Sequence, residues 1–129
     1  MRIELSSIFV DDQDKALEFY TKTLGFVLKK DNPIGEFRWL TVVSPEDKDG
    51  TELVLEPNDN PAAKTYQQAL FEQNIPINAF VVDDVRAEYH RLSDLGVQIS
   101  MEPTEMGDEI VIVLDDTCGN WVMAYQSLA

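Results

Sequence analysis

The chain has 129 residues, one domain's length, and at that size folding buries roughly two-thirds of the unfolded chain's surface, so a core needs neither metal nor disulfide to hold it. Ten Lys and Arg against 24 Asp and Glu give a formal charge of −14, which repels phosphate backbones and anionic lipid and argues against nucleic acid or membrane as a partner. With 44% hydrophobic residues, the acidity belongs to a solvated surface and not to a disordered tail.

From the amino end, Ile3 to Val10 reads as a strand, and Asp11-Asp12 supplies the cap of a helix that runs to Leu24. Ala16, Phe19, Tyr20 and Leu24 form its inward stripe, and Gly25 is the expected left-handed terminator. Strands follow at Phe26 to Lys30, Phe37 to Val43 and Glu52 to Glu56, with Asn32-Pro33-Ile34-Gly35 and the Ser44 to Gly50 segment as turns. Asn60-Pro61 opens a connecting helix ending near Asn74, because asparagine caps and proline fits the first helical position. The second half then reads strand Ile75 to Val82, helix Asp84 to Leu95, and strands Val97 to Met101, Ile110 to Leu114 and Trp121 to Gln126. Cys118 is the only cysteine, so no internal disulfide forms; the amino end lacks the apolar core of a secretory signal. No run approaches the roughly 18 apolar residues a membrane span needs, and a cytoplasmic protein is expected.

The order of elements is stated twice. Val10-Asp11-Asp12 and Leu24-Gly25-Phe26 in the first half answer to Val82-Asp83-Asp84 and Leu95-Gly96-Val97 in the second. Both halves read strand-helix-strand-strand-strand, which predicts an α+β fold of two pseudo-symmetric βαβββ modules: about 1–58 and about 75–129, joined by the helix at about 60–74. With no low-complexity linker, residues 1–129 are expected to pack as one domain, with functional groups where the modules face each other.

Phe19-Tyr20-Thr21-Lys22-Thr23-Leu24-Gly25-Phe26, the Leu53-Val54-Leu55-Glu56 strand and the Asp116-Thr117-Cys118-Gly119-Asn120 turn resemble the vicinal oxygen chelate superfamily. That group includes glyoxalase I, extradiol dioxygenases, fosfomycin-resistance enzymes and bleomycin-binding proteins. The resemblance implies modules whose sheets curve around a cleft, a homodimer, and in metal-using relatives an ion held from the first and last strand of each module. Those ligand positions fall here on Leu5, Glu56, Ile77 and Met123, of which only Glu56 can bind a metal well. A shift of two residues brings Ser7, Ala79 or Ile75, and Tyr125 or Trp121 to the same face, none a good neutral-nitrogen ligand. His90 is the only histidine and falls mid-helix. No cofactor and no catalytic metal are therefore expected, the remaining alternative being a carboxylate site of the kind Mg²⁺ or Mn²⁺ accepts.

Strand alternation puts Glu52, Val54 and Glu56 on one face and Leu53 and Leu55 on the other. Glu56 is the candidate general base or ligand anchor; the alternative is a solvated glutamate before Pro57. The same parity places Leu5, Ser7 and Phe9 beside Ile75, Ile77 and Ala79, with Trp121, Met123 and Tyr125 across from them, an apolar and aromatic wall suited to an uncharged planar or aliphatic ligand. Such side chains can equally fill a groove or bury a dimer contact. Trp39 and Arg38 share a strand; Arg38 either faces the groove, pairing with Glu52, Glu56 or an acidic substrate, or lies on the surface. Cys118, beside Asp115 and Asp116, reads as turn chemistry and not as a nucleophile. Three functions remain: a metal-independent small-molecule-binding protein, which the missing ligands favour; a lyase or isomerase using Glu56 as base or a carboxylate-held ion; and a non-catalytic association module.

Overall fold

Two aspartates start the helices on which each half of the fold is built. Asp12 and Asp84 both sit in extended backbone, at φ −151° and −140°, and their carboxylates accept the N–H groups of Lys15 and Ala87, three residues on. These bonds satisfy donors that a helix start otherwise leaves open.

The computed structural model describes residues 1–129. Their elements are β1 (Leu5–Val10), α1 (Gln13–Glu18), β2 (Val27–Ile34), β3 (Phe37–Val43), β4 (Glu52–Pro57), α2 (Pro61–Glu72), β5 (Pro76–Val81), α3 (Val85–Asp94), β6 (Ile99–Met106), β7 (Glu109–Asp115) and β8 (Trp121–Ser127). The chain divides into two units, Met1–Tyr66 and Gln67–Ala129, with the boundary inside α2. Each unit holds one four-stranded sheet, in order β1-β4-β3-β2 and β5-β8-β7-β6. First and last strands of each module pair in parallel and the other neighbours antiparallel. The α+β class and the paired βαβββ modules are those the sequence predicts. No helix is long and apolar enough to cross a membrane.

Of the expected stripe Ala16, Phe19, Tyr20 and Leu24, the first three are buried and Leu24 is half-buried. In the second unit Val85 and Leu92 are buried. Beyond Glu18, Phe19–Thr23 forms a wider π-type turn, in which the Leu24 N–H reaches back five residues to the Phe19 carbonyl at 3.0 Å. Gly25 and Gly96 then take positive φ, 91° and 82°, as the Leu-Gly motif requires.

The edge strands are longer than the sequence suggests. β2 continues through Asn32-Pro33-Ile34 and turns only at Gly35-Glu36, since Ile34 pairs with Phe37; β6 continues to Met106 and turns at Gly107-Asp108. Pro33 reads as a breaker in sequence, but β2 has no outer neighbour to need its N–H.

The turn between β7 and β8 is a buried polar knot. Asp116 is fully buried, and one carboxylate oxygen accepts from the Cys118 N–H at 2.7 Å and the Asn120 N–H at 3.0 Å, while the other accepts from the Asn120 amide at 2.7 Å. Gln67, from the C-terminal half of α2, donates to the Asn120 side-chain oxygen and the Cys118 carbonyl, both at 3.0 Å. A Cβ on Gly119, at φ 97°, would stand 2.8 Å from the Gln67 amide nitrogen. Glycine is thus demanded by both conformation and space, and the knot ties α2 to its own unit's sheet. Asp116→Ala strips three buried donors of their acceptor and is expected to cost about 3 kcal/mol, read as a lower urea midpoint at unchanged m-value.

Candidate functional site

Pairing register decides what each sheet face carries. In the first unit Leu5, Ser7 and Phe9 lie beside Glu52, Val54 and Glu56, and Val54 lies beside Thr41. These residues share one face with Trp39 and Lys30. The opposite face carries Ile8, Val10, Leu40, Val42 and Leu55, all buried, and Arg38, which meets Asp14 of α1. That contact marks it as the helix side, so Glu52 and Glu56 stand on the helix-free side, opposite the helix-side Leu55, as alternation predicts.

Arg38 is therefore not a partner of Glu52 or Glu56. Its parity sends it to the helix side, where it forms a two-bond fork with Asp31, at 3.0 and 2.8 Å, and a salt bridge to Asp14. Glu52 finds other partners that the sequence reading missed. Thr41, fully buried, donates its hydroxyl to one carboxylate oxygen at 2.7 Å, and the Lys30 ammonium lies 3.6 Å from the other. Strand parity on β3 was the signal for Thr41; the pairing of Lys30 with Thr41 across a β-bulge was not readable from sequence. Glu56 is half-buried, and no side-chain hydrogen bond or ion pair joins it to the rest of the chain.

In the second unit Met123 lies beside Ala79 and Val113, and Tyr125 beside Val81 and Val111. The expected alternation of Ile75, Ile77 and Ala79 does not hold. Pro76 pairs with Trp121 and Ala79 with Met123, so Ile77 and Asn78 together face one residue and the strand slips a position there. Phe9 pairs with Glu56 as Val81 pairs with Tyr125, which makes Tyr125, not Met123, the internal counterpart of Glu56.

Trp121 is enclosed by its own unit. Its ring stacks on Phe71 of α2 at 4.8 Å and 4°, its indole N–H donates to the Phe71 carbonyl at 3.0 Å, and it clusters with Val111 and Val113, with Met123 and Tyr125 packed alongside. Cys118 is buried in the Asp116 knot and His90 is exposed on α3. No group of three or more His, Cys, Asp or Glu side chains converges in a way that could hold a metal.

The profile of the Glyoxalase/Bleomycin resistance protein/Dioxygenase superfamily matches residues 2–124. An uncharacterized protein of Bacillus subtilis (strain 168), YurT, is 55% identical over 126 residues, covering 98% of this chain and 99% of its own. Among solved structures, UcmS2 is similar with a TM-score of 0.83 and 32% identity over 97% of each chain. TnmS3, described as an antibiotic binding protein from Streptomyces sp. CB03234, is similar with a TM-score of 0.78 and 29% identity, over 98% of this chain and 96% of that one.

The Arg38 cluster has a titration signature. Hydrogen bonding from Arg38, reinforced by its charge, holds Asp31 below its ordinary value of 3.8, and the same bond raises the guanidinium, which stays charged. A carboxylate with a depressed folded-state pKa stabilises the fold above its unfolded pKa and loses that contribution as pH falls through the depressed value, so the effect lies in the acid range below the ordinary value. In carboxyl-carbon NMR, Asp31 is expected to titrate below 3.8 and to return to that value in Arg38→Met. An unchanged titration in the variant would contradict the assignment.

Proposed function

Because the chain belongs to the Glyoxalase/Bleomycin resistance protein/Dioxygenase superfamily, we propose that it is a small-molecule-binding protein that holds its ligand by burial and stacking on helix-free sheet surface, without a catalytic metal. The observation that carries this reading is the donor set. Of the positions where the resemblance implies metal ligands, Leu5 and Ile77 are apolar, the counterpart of Glu56 is the phenol Tyr125, and Glu56 alone is a carboxylate. One carboxylate and one phenol do not satisfy a divalent ion that takes four or more ligands. The only histidine, His90, is exposed on α3.

The same substitutions suit a different task. Leu5, Phe9 and Trp39 carry apolar and aromatic surface on the first sheet's helix-free face, while Ser7 and Glu56 supply polar groups to orient a ligand, the usual balance of a small-molecule site. The similarity to a protein described as antibiotic-binding supports a ligand of that general kind. A homodimer accompanies the proposal on the strength of the family resemblance, and light scattering in solution tests it.

Metal analysis of protein purified without chelator, with a thermal-shift series over divalent ions, tests the metal-free reading. Neither a stoichiometric ion nor a shift is expected; an ion that binds only the folded state at a hundred times its Kd adds about 2.7 kcal/mol and would raise the melting temperature visibly. A bound ion, or an isomerase activity abolished by Glu56→Gln, would replace binding by catalysis as the function.

A further inference from the structure

The connection from β3 to β4 is built of successive turns. The Asp47 N–H reaches back to the Ser44 carbonyl at 3.1 Å, and the Gly50 N–H to the Asp47 carbonyl at 3.0 Å. Ser44 to Asp49 are all exposed, and apart from the single Ser44–Asp47 bridge no helix or strand holds them. Hydrogen bonds of this kind, at the surface and without apolar cover, open locally at little cost.

Asp49 stands apart from the aspartates that hold the structure together. Asp12 and Asp84 cap helices, Asp31 is clasped by Arg38, and Asp116 accepts three buried donors. The Asp49 side chain is fully exposed and meets only the Lys29 ammonium, at 3.5 Å, the outer limit of a hydrogen bond. Asp49 is also the only aspartate followed by glycine. Five of the six glycines take positive φ, and Gly50 does not; the Asp47 carboxylate lies in the space its Cβ would fill. A residue without a side chain lets other groups approach its backbone closely, so the Gly50 nitrogen is left unshielded beside a carboxyl group that is free to turn toward it.

We propose that the Asp49–Gly50 link is a site of spontaneous backbone modification, closing to a cyclic imide and reopening as isoaspartate in the folded protein. When the turn bond to Asp47 opens, the Gly50 nitrogen attacks Cγ of the Asp49 carboxyl group. The N–Cγ bond forms as a Cγ–O bond breaks, and the carboxyl OH leaves as water with the proton given up by nitrogen. Water then adds to one of the imide carbonyls. Attack at Cγ restores aspartate; attack at the main-chain carbonyl breaks its bond to nitrogen, leaving a free α-carboxylate and a chain that runs through the side chain of Asp49. No electrons are exchanged, and water is the only co-reactant. The product keeps its fold, because β4 is tied down just beyond the turn: the Glu52 N–H donates to the Glu4 carbonyl at 2.8 Å, and the Glu52 carboxylate accepts the Thr41 hydroxyl at 2.7 Å. The inference does not depend on what the protein binds.

The test is to hold the purified protein folded at neutral pH over weeks and to digest it with trypsin beside a fresh sample. The peptide from Asp49 to Lys64 is then sequenced by electron-transfer mass spectrometry, which distinguishes isoaspartate from aspartate at each position. Isoaspartate is expected to accumulate at Asp49, through a transient species lighter by one water, and not at Asp59 in the same peptide. Asp49→Glu, whose imide would need a larger ring, is expected to lose the water-loss species with no change in melting temperature. Gly50→Ala, whose methyl group shields the nitrogen, is expected to slow its formation. Aged protein that is still aspartate at position 49 would overturn the inference, as would isoaspartate forming equally at Asp59 or a water-loss species that persists in Asp49→Glu.

Discussion

The parallel pairing of the first and last strands of each module is the constraint on which the other features depend. Once Phe9 is set beside Glu56 and Val81 beside Tyr125, strand alternation assigns every neighbouring side chain to the helix side or the helix-free side. A slip of one residue would exchange Leu55 for Glu56 and place a carboxylate under α1. Burial of Ile8, Val10 and Leu55 on one side and Val122, Ala124 and Ile112 in the other unit opposes that slip strongly. The helix-free groups are therefore fixed in place by the buried residues of the helix side.

Within that frame the units differ in what their helix-free faces carry. The second spends its face on its own stability: α2 brings Phe71 onto Trp121 and Gln67 into the Asp116 knot, so aromatic surface and buried carboxylate both find partners inside the unit. The first keeps polar groups on its face and breaks its own β3–β4 ladder, with the Gln13 amide standing in for the missing strand bonds. Sequence duplication supplied two similar scaffolds, and a few side chains decide where they differ.

Much of the fold was legible in the residues. Asp12 and Asp84 announced helix starts, Leu24-Gly25 and Leu95-Gly96 announced their ends, and alternation along Glu52 to Glu56 placed the two carboxylates on the side away from α1. The Asp115 to Asn120 segment was legible as a turn; within it Gly119 takes positive φ, and Thr117, at φ 65°, shares that conformation without any residue-type signal. Less was legible of the site. Ile77 left its expected face because a bulge inserts a residue between Pro76 and Ala79, and bulges carry no mark in a strand of ordinary apolar residues. Arg38 turned to Asp31 and Asp14 because its parity opposes that of Glu56, and β3's register with β4 is set by the fold and not by β3 itself.

The sequence by itself determined the element order, the duplication, the helix caps and the presence of a single histidine, because each of these is written in residue types at short range. Only the tertiary structure decided that Lys30 and Thr41 serve Glu52, that Tyr125 is the counterpart of Glu56, that Phe71 covers Trp121, and that Gln13 parts β3 from β4. Those contacts join residues distant along the chain, and they depend on registers and bulges whose energies are settled by packing, which local patterns do not encode.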